Sequence, residues 1–171
     1  MKRSISAATI GSALLGSVAL TGPSQAATPR PDLTITDIAW TPQAAVAGQP
    51  VTFRATITNR GNAPTEDGVI HGIGFRVGGR TVTWTDRHTW HLDPGQSIVL
   101  QADGGPSGPT WPAAQGAATV TAHVDDAKRI TESNESNNTV TETITATPSM
   151  SVRLRGDGRP SIHAAPAATE T

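Results

Sequence analysis

Apolar and polar residues alternate with a period of two through most of this chain. From Val51 to Asn59, the residues Val51, Phe53, Ala55 and Ile57 alternate with Thr52, Arg54, Thr56 and Thr58. That spacing puts one face of an extended strand in a core and the other in water. Val120, Ala122 and Val124 alternate likewise with Thr119, Thr121 and His123, and Ile73, Phe75 and Val77 with Gly72, Gly74 and Arg76. Runs rich in Val, Ile and Thr, bounded by Gly, Pro, Asn and Asp, predict strands at Leu33–Trp40, Val51–Asn59, Val69–Val77, Arg80–Thr85, Ser97–Ala102, Ala117–Asp125 and Thr139–Ala146. No apolar stripe of period 3.6 is long enough for a helix, so the fold class is all-β.

The first run shifts phase between Leu33/Ile35 and Ile38/Trp40, which requires a one-residue slip such as a β-bulge. Gly78-Gly79 supplies the left-handed residues of a two-residue hairpin, and Asp93-Pro94-Gly95 makes a second turn. Asp103 to Gln115, with paired glycines and three prolines, reads as a long irregular loop. These strands and turns together predict a seven-stranded immunoglobulin-like antiparallel β-sandwich.

Flanking composition sets the organisation. Residues 1–26 have the build of a secretory signal: Lys2 and Arg3, a small-apolar stretch from Ile5 to Leu20, and Ser24-Gln25-Ala26 as the cleavage site. Ser6, Gly11, Ser12, Gly16 and Ser17 dilute that stretch too much for a membrane anchor, so no membrane insertion is expected. Residues 27–31 read as a spacer, 32–146 as the sandwich domain, and 147–171, rich in Ala, Pro, Ser, Thr and Arg, as a disordered tail. The expected location is therefore extracellular. With no cysteine among 171 residues, the domain must fold on its core alone or with a bound ion. The net charge of −1, which becomes −3 when Lys2 and Arg3 leave with the leader, excludes a basic nucleic-acid binder.

Over residues 31–146 the chain resembles the CARDB family, the cell-adhesion-related domains found in bacteria. The resemblance rests on Pro31-Asp32-Leu33, Ala47 through Phe53, Asn59-Arg60-Gly61-Asn62, Asp93 through Ser97, and Val124-Asp125 followed by Ile130 through Asn138. It implies an immunoglobulin-like sandwich in a secreted or surface protein with a role in adhesion or binding.

Asp125, Asp126, Glu132, Asn134, Glu135, Asn137 and Asn138 concentrate hard oxygen donors within fourteen residues. Calcium takes six to eight such oxygens, which makes Asp125, Asp126, Glu132, Glu135 and Asn137 candidate Ca2+ ligands. The alternative is a polar turn whose side chains cap backbone amides, with Lys128 and Arg129 as ion-pair partners and Ile130 plugging the core. His88-x-x-His91 is weak zinc spacing, since residues i and i+3 of a strand point to opposite faces.

Among four tryptophans, Trp40 or Trp84 is expected in the core. Trp90 and Trp111, beside turns, are candidate ligand-binding platforms with His88 and His91 as polar partners. Catalytic motifs are absent: neither Gly-x-Ser-x-Gly nor His-Glu-x-x-His occurs, and Glu132 and Glu135 sit in one turn rather than across a cleft. Ser97, His88 and Asp86 form no recognisable nucleophile motif. Arg155-Gly156-Asp157 is a short match to an integrin-recognition tripeptide. The reading is thus a non-catalytic binding module for an extracellular polysaccharide or surface protein. The alternatives are an assembly module that pairs through an edge strand and a small secreted hydrolase.

Overall fold

The computed structural model describes residues 28–154 and 159–164. Its strands are β1 (Leu33–Thr41), β2 (Ala45–Val46), β3 (Pro50–Asn59), β4 (Ile73–Val77), β5 (Arg80–Thr85), β6 (Ser97–Gln101), β7 (Trp111–Pro112), β8 (Gly116–Val124), β9 (Thr139–Thr147), β10 (Met150–Leu154) and β11 (Pro160–Ala164). One sheet has the order β1-β3-β6, with β7 also pairing with β3, and the other runs β2-β9-β8-β4-β5. All pairs are antiparallel except β2 with β9.

The alternating residues face as their spacing requires. Val51, Phe53, Ala55 and Ile57 from one sheet meet Ile73, Phe75, Val120, Ala122, Val124 and Ile144 from the other in a dry layer. At its centre Phe53 stacks on Phe75 at 5.6 Å and on Trp111 at 5.9 Å. The phase shift in the first strand is a register slip between Ile35 and Asp37, which keeps both Ile35 and Ile38 buried. Gly78 and Gly79, with φ of 55° and 82°, make the β4–β5 turn.

Four expectations change. Val69–Gly72 is not strand; β4 starts at Ile73, because the backbone before it bonds to the 86–96 loop and to Asp125. The loop after Asp103 contributes the short strand β7, which carries Trp111 into the core. The spacer is tied down, since the Arg30 amide donates to Asn62 Oδ1 and its carbonyl accepts from the Asn62 amide. Within the expected tail, β9 continues to Thr147 and β10 pairs with β11. The period-two alternation of Met150, Val152 and Leu154 with Ser151 and Arg153 accounts for that pairing. The expected leader and the Arg155-Gly156-Asp157 tripeptide lie outside the described residues.

Candidate binding end of the sandwich

β3 ends at Asn59 opposite Leu33, so the arm at residues 28–32 and the loops 60–72, 86–96 and 125–138 meet at one end of the sandwich. Side chains bonded to backbone hold them there. Asn59 is fully buried; its Nδ2 donates to the carbonyls of Ala63 and Leu92, both at 2.8 Å, and its Oδ1 accepts from the amides of Asp32 and Gly61. Thr65 Oγ1 accepts from the Leu92 amide and lies 2.6 Å from His71 Nε2. All four hydrogen-bonding positions of the Asn59 amide group are thereby used, the condition for burying it without penalty.

The acidic segment 125–138 serves the same purpose. The buried Asp125 carboxylate accepts from the amides of Arg129 and Ile130 at 2.8 and 3.0 Å, closing a turn in which Asp125 and Lys128 take φ of 48° and 51°. Glu132 accepts from the Leu33 amide and from Asn138 Nδ2, Glu135 accepts from the Glu132 amide, and Asn137 Nδ2 donates to Asp32. These oxygens are aimed at separate amides rather than at one common point. No group of three or more His, Asp or Glu side chains able to hold a metal occurs among the described residues. Each of these contacts caps an N–H within or beside the turn, and Ile130 plugs the core as expected, 7% exposed. Lys128 and Arg129 make no ion pair among the described residues.

Burial shifts the ionisable groups at this end. Glu132, 3% exposed and without a cationic partner among the described residues, is pushed up to about 7, chiefly by desolvation and against the pull of the Leu33 and Asn138 donors. Burial, followed by the nearby His88, lowers His71. The exposed His91 is raised by its ring's hydrogen bond to Asp67, whose own carboxyl is lowered first by the His91 backbone amide and then by the ring.

Trp90 is 72% exposed at this end. Its loop is pinned by Gly68 N to Thr89 O at 2.7 Å, His71 N to His88 O at 2.9 Å, and the amide and Nδ1 of His91 to Asp67 Oδ1, each at 2.9 Å. Trp90 meets His88 edge-on at 5.9 Å, and His88 meets the buried His71 at 5.2 Å, so an aromatic ladder runs from solvent inward. His88 and His91 face different partners and do not converge on a zinc site. Of the expected platform, Trp90, His88 and His91 come together, but Trp111 does not. It is 9% exposed against Phe53 and pairs with Val51, eight residues along β3 from Asn59, or roughly 25 Å away.

The core tryptophan is therefore Trp111. Trp40 is half-buried and packs at the edge of the core, while Trp84 is half-buried on the outer face, opposite Gly74. Asn59, Thr65 and His71 carry the loop scaffold and were not singled out as site residues in the sequence. For Asn59 the available signal was a polar residue closing an apolar strand at a core-facing position.

The CARDB family model matches residues 30–142. The chain belongs to the CARDB family. Solved structures agree in fold. The CARDB domain of PF1109 from Pyrococcus furiosus, in complex with di-metal ions, is 21% identical with a TM-score of 0.51, covering 69% of this chain and 90% of its own. A domain of a Methanosarcina acetivorans protein named as a cell surface protein is 27% identical with a TM-score of 0.53, covering 68% and 92%. No curated protein matches this chain.

Proposed function

We propose that this CARDB domain is a secreted binding module that recognises an extracellular polysaccharide or surface protein through the end bearing Trp90. One observation carries the reading: a 72%-exposed indole on a loop fixed by backbone hydrogen bonds on both sides. An exposed tryptophan costs solubility, and a rigid one loses little entropy on contact with a ligand. His88 beneath it and the Asp67–His91 pair beside it supply polar contacts next to the apolar ring.

The test is co-sedimentation of the purified protein with insoluble polysaccharides and washed bacterial cells, wild type against Trp90→Ala. Binding that falls at least tenfold in the variant supports the reading, and equal binding by both removes Trp90 from it.

A second reading, pairing with a partner's sheet, is favoured by β6. This edge strand reads Ser-Ile-Val-Leu-Gln, with Val99 57% exposed and no charge or proline to blunt it. Concentration-dependent self-association, or secretome capture abolished by Val99→Lys, would favour it over the Trp90 end.

A further inference from the structure

The outer face of the five-stranded sheet carries a second feature, separate from Trp90. Ile73 and Phe75 point into the core, so Gly72 and Gly74 face the other side of the sheet, where their lack of a side chain lets residues of another loop lie directly on the backbone. Trp84 stands opposite Gly74 on the neighbouring strand, its ring against Gly104. The side chains of Asp126 and Arg129 return over these two glycines from the 125–138 turn. A Cβ at Gly74 would lie 2.5 Å from Asp126 Oδ2, and one at Gly72 would lie 3.2 Å from an Arg129 guanidinium nitrogen. The result is a cleft of about 210 Å³ lined by Trp84, Thr85, Asp86, Asp126, Arg129 and Gly72.

Asp86, Asp126 and Arg129 join no ion pair among the described residues, and Asp126 and Arg129 are not within ion-pair distance of each other although they share the cleft. Their hydrogen-bonding capacity is therefore open to a ligand. Two carboxylates accept hydroxyl protons, a guanidinium donates to hydroxyl or ring oxygens, and an indole offers an apolar face. That combination matches a ring bearing adjacent hydroxyls on its edge and C–H groups on its face. The lining is mostly polar, with Gly72 and Ala127 its only small residues and no aliphatic pocket that would select a peptide side chain, and two carboxylates against one guanidinium disfavour an acidic ligand.

We propose that this cleft is a binding site for neutral sugar residues of a polysaccharide. Arg129 also lines a neighbouring cleft of about 400 Å³ formed by Thr28–Pro31, Pro64, Glu66 and Val69, so its guanidinium stands between two hollows. The inference deepens the binding-module reading by naming a ligand class, but it stands on residues other than Trp90.

Calorimetric titration of the full protein with cellohexaose, xylohexaose and mannohexaose, with an oligogalacturonide as the acidic probe, tests it. At least one neutral hexasaccharide is expected to bind, with Trp84→Ala weakening it about tenfold or more and Asp126→Asn weakening it less. Gly74→Ala, which displaces only the end of a flexible side chain, is expected to weaken it while the protein unfolds at the wild-type temperature. Trp90→Ala is expected to leave this binding intact. The proposal is overturned if no neutral hexasaccharide binds at millimolar concentration, if only the oligogalacturonide binds, or if folded Trp84→Ala and Gly74→Ala bind as wild type. In each of those cases the sedimentation result for Trp90 stands on its own.

Discussion

Replacing Glu132 with Gln should stabilise the protein above neutral pH. Glu132 is 3% exposed, has no cation beside it and is pushed up to about 7 from 4.5. The folded protein holds this proton more tightly than the unfolded chain does. Stability is therefore greatest below the unfolded value and falls as pH rises through the window from 4.5 to about 7. At 1.36 kcal/mol per unit, the ionised form costs about 3 kcal/mol above that window, an order-of-magnitude figure. Glutamine has the same shape without the charge. Its carbonyl can accept from the Leu33 amide, and its NH2 can donate to Asn138 Oδ1 once the Asn138 amide turns over by 180°, a turn that breaks no other hydrogen bond of that oxygen among the described residues. Thermal unfolding by circular dichroism from about pH 5 to about pH 8 should show the gap between variant and wild type opening with pH, to roughly 10 °C at the upper end. His71 works in the opposite sense: its lowered value removes stability as pH falls through 6.5. Because both proteins carry His71, its contribution largely cancels in the difference. A gap that stays constant with pH, or a variant less stable than wild type at about pH 8, would refute the reasoning.

Asn59→Ala strands two carbonyls and two amides and should lower stability by about 3 kcal/mol in urea unfolding. Trp111→Ala should cost about 3–5 kcal/mol by opening a cavity beside Phe53, yet leave ligand binding by the folded fraction unchanged. Trp90→Ala should shift stability by less than about 0.5 kcal/mol, since its ring is mostly in water. Melting temperatures in millimolar calcium and in chelator should agree, because the oxygens of the 125–138 turn are directed at amides; a rise of several degrees with calcium would restore a metal site there.

The strands were legible because their period-two alternation is a local property, and the bulge in β1 was legible because it left a phase error between Ile35 and Ile38. What escaped was placement in space. Trp90 and Trp111 both sit beside turns in sequence, but only the pairing of β7 with β3 decides that Trp111 enters the core. Trp84 could be assigned to the outer face only once its strand was known to place Thr83 and Thr85 inward. The acidic segment offered the same residues to an ion or to a turn, and only the folded positions show which amides, those of Arg129, Ile130 and Leu33, its carboxylates reach.

The clasp at the Asn59 end joins residues far apart in sequence. Leu33 bonds to Glu132, Pro31 to Ser133 and Asp32 to Asn137, at separations of 99, 102 and 105 residues. Contacts of such high order form late, after a long loop has closed. During vectorial synthesis β1 can pair with β3 early, but the clasp cannot close until the final stretch of the domain has emerged. Closure of the clasp joins the two ends of the domain as a disulfide would, without an oxidant and without any cysteine in the chain.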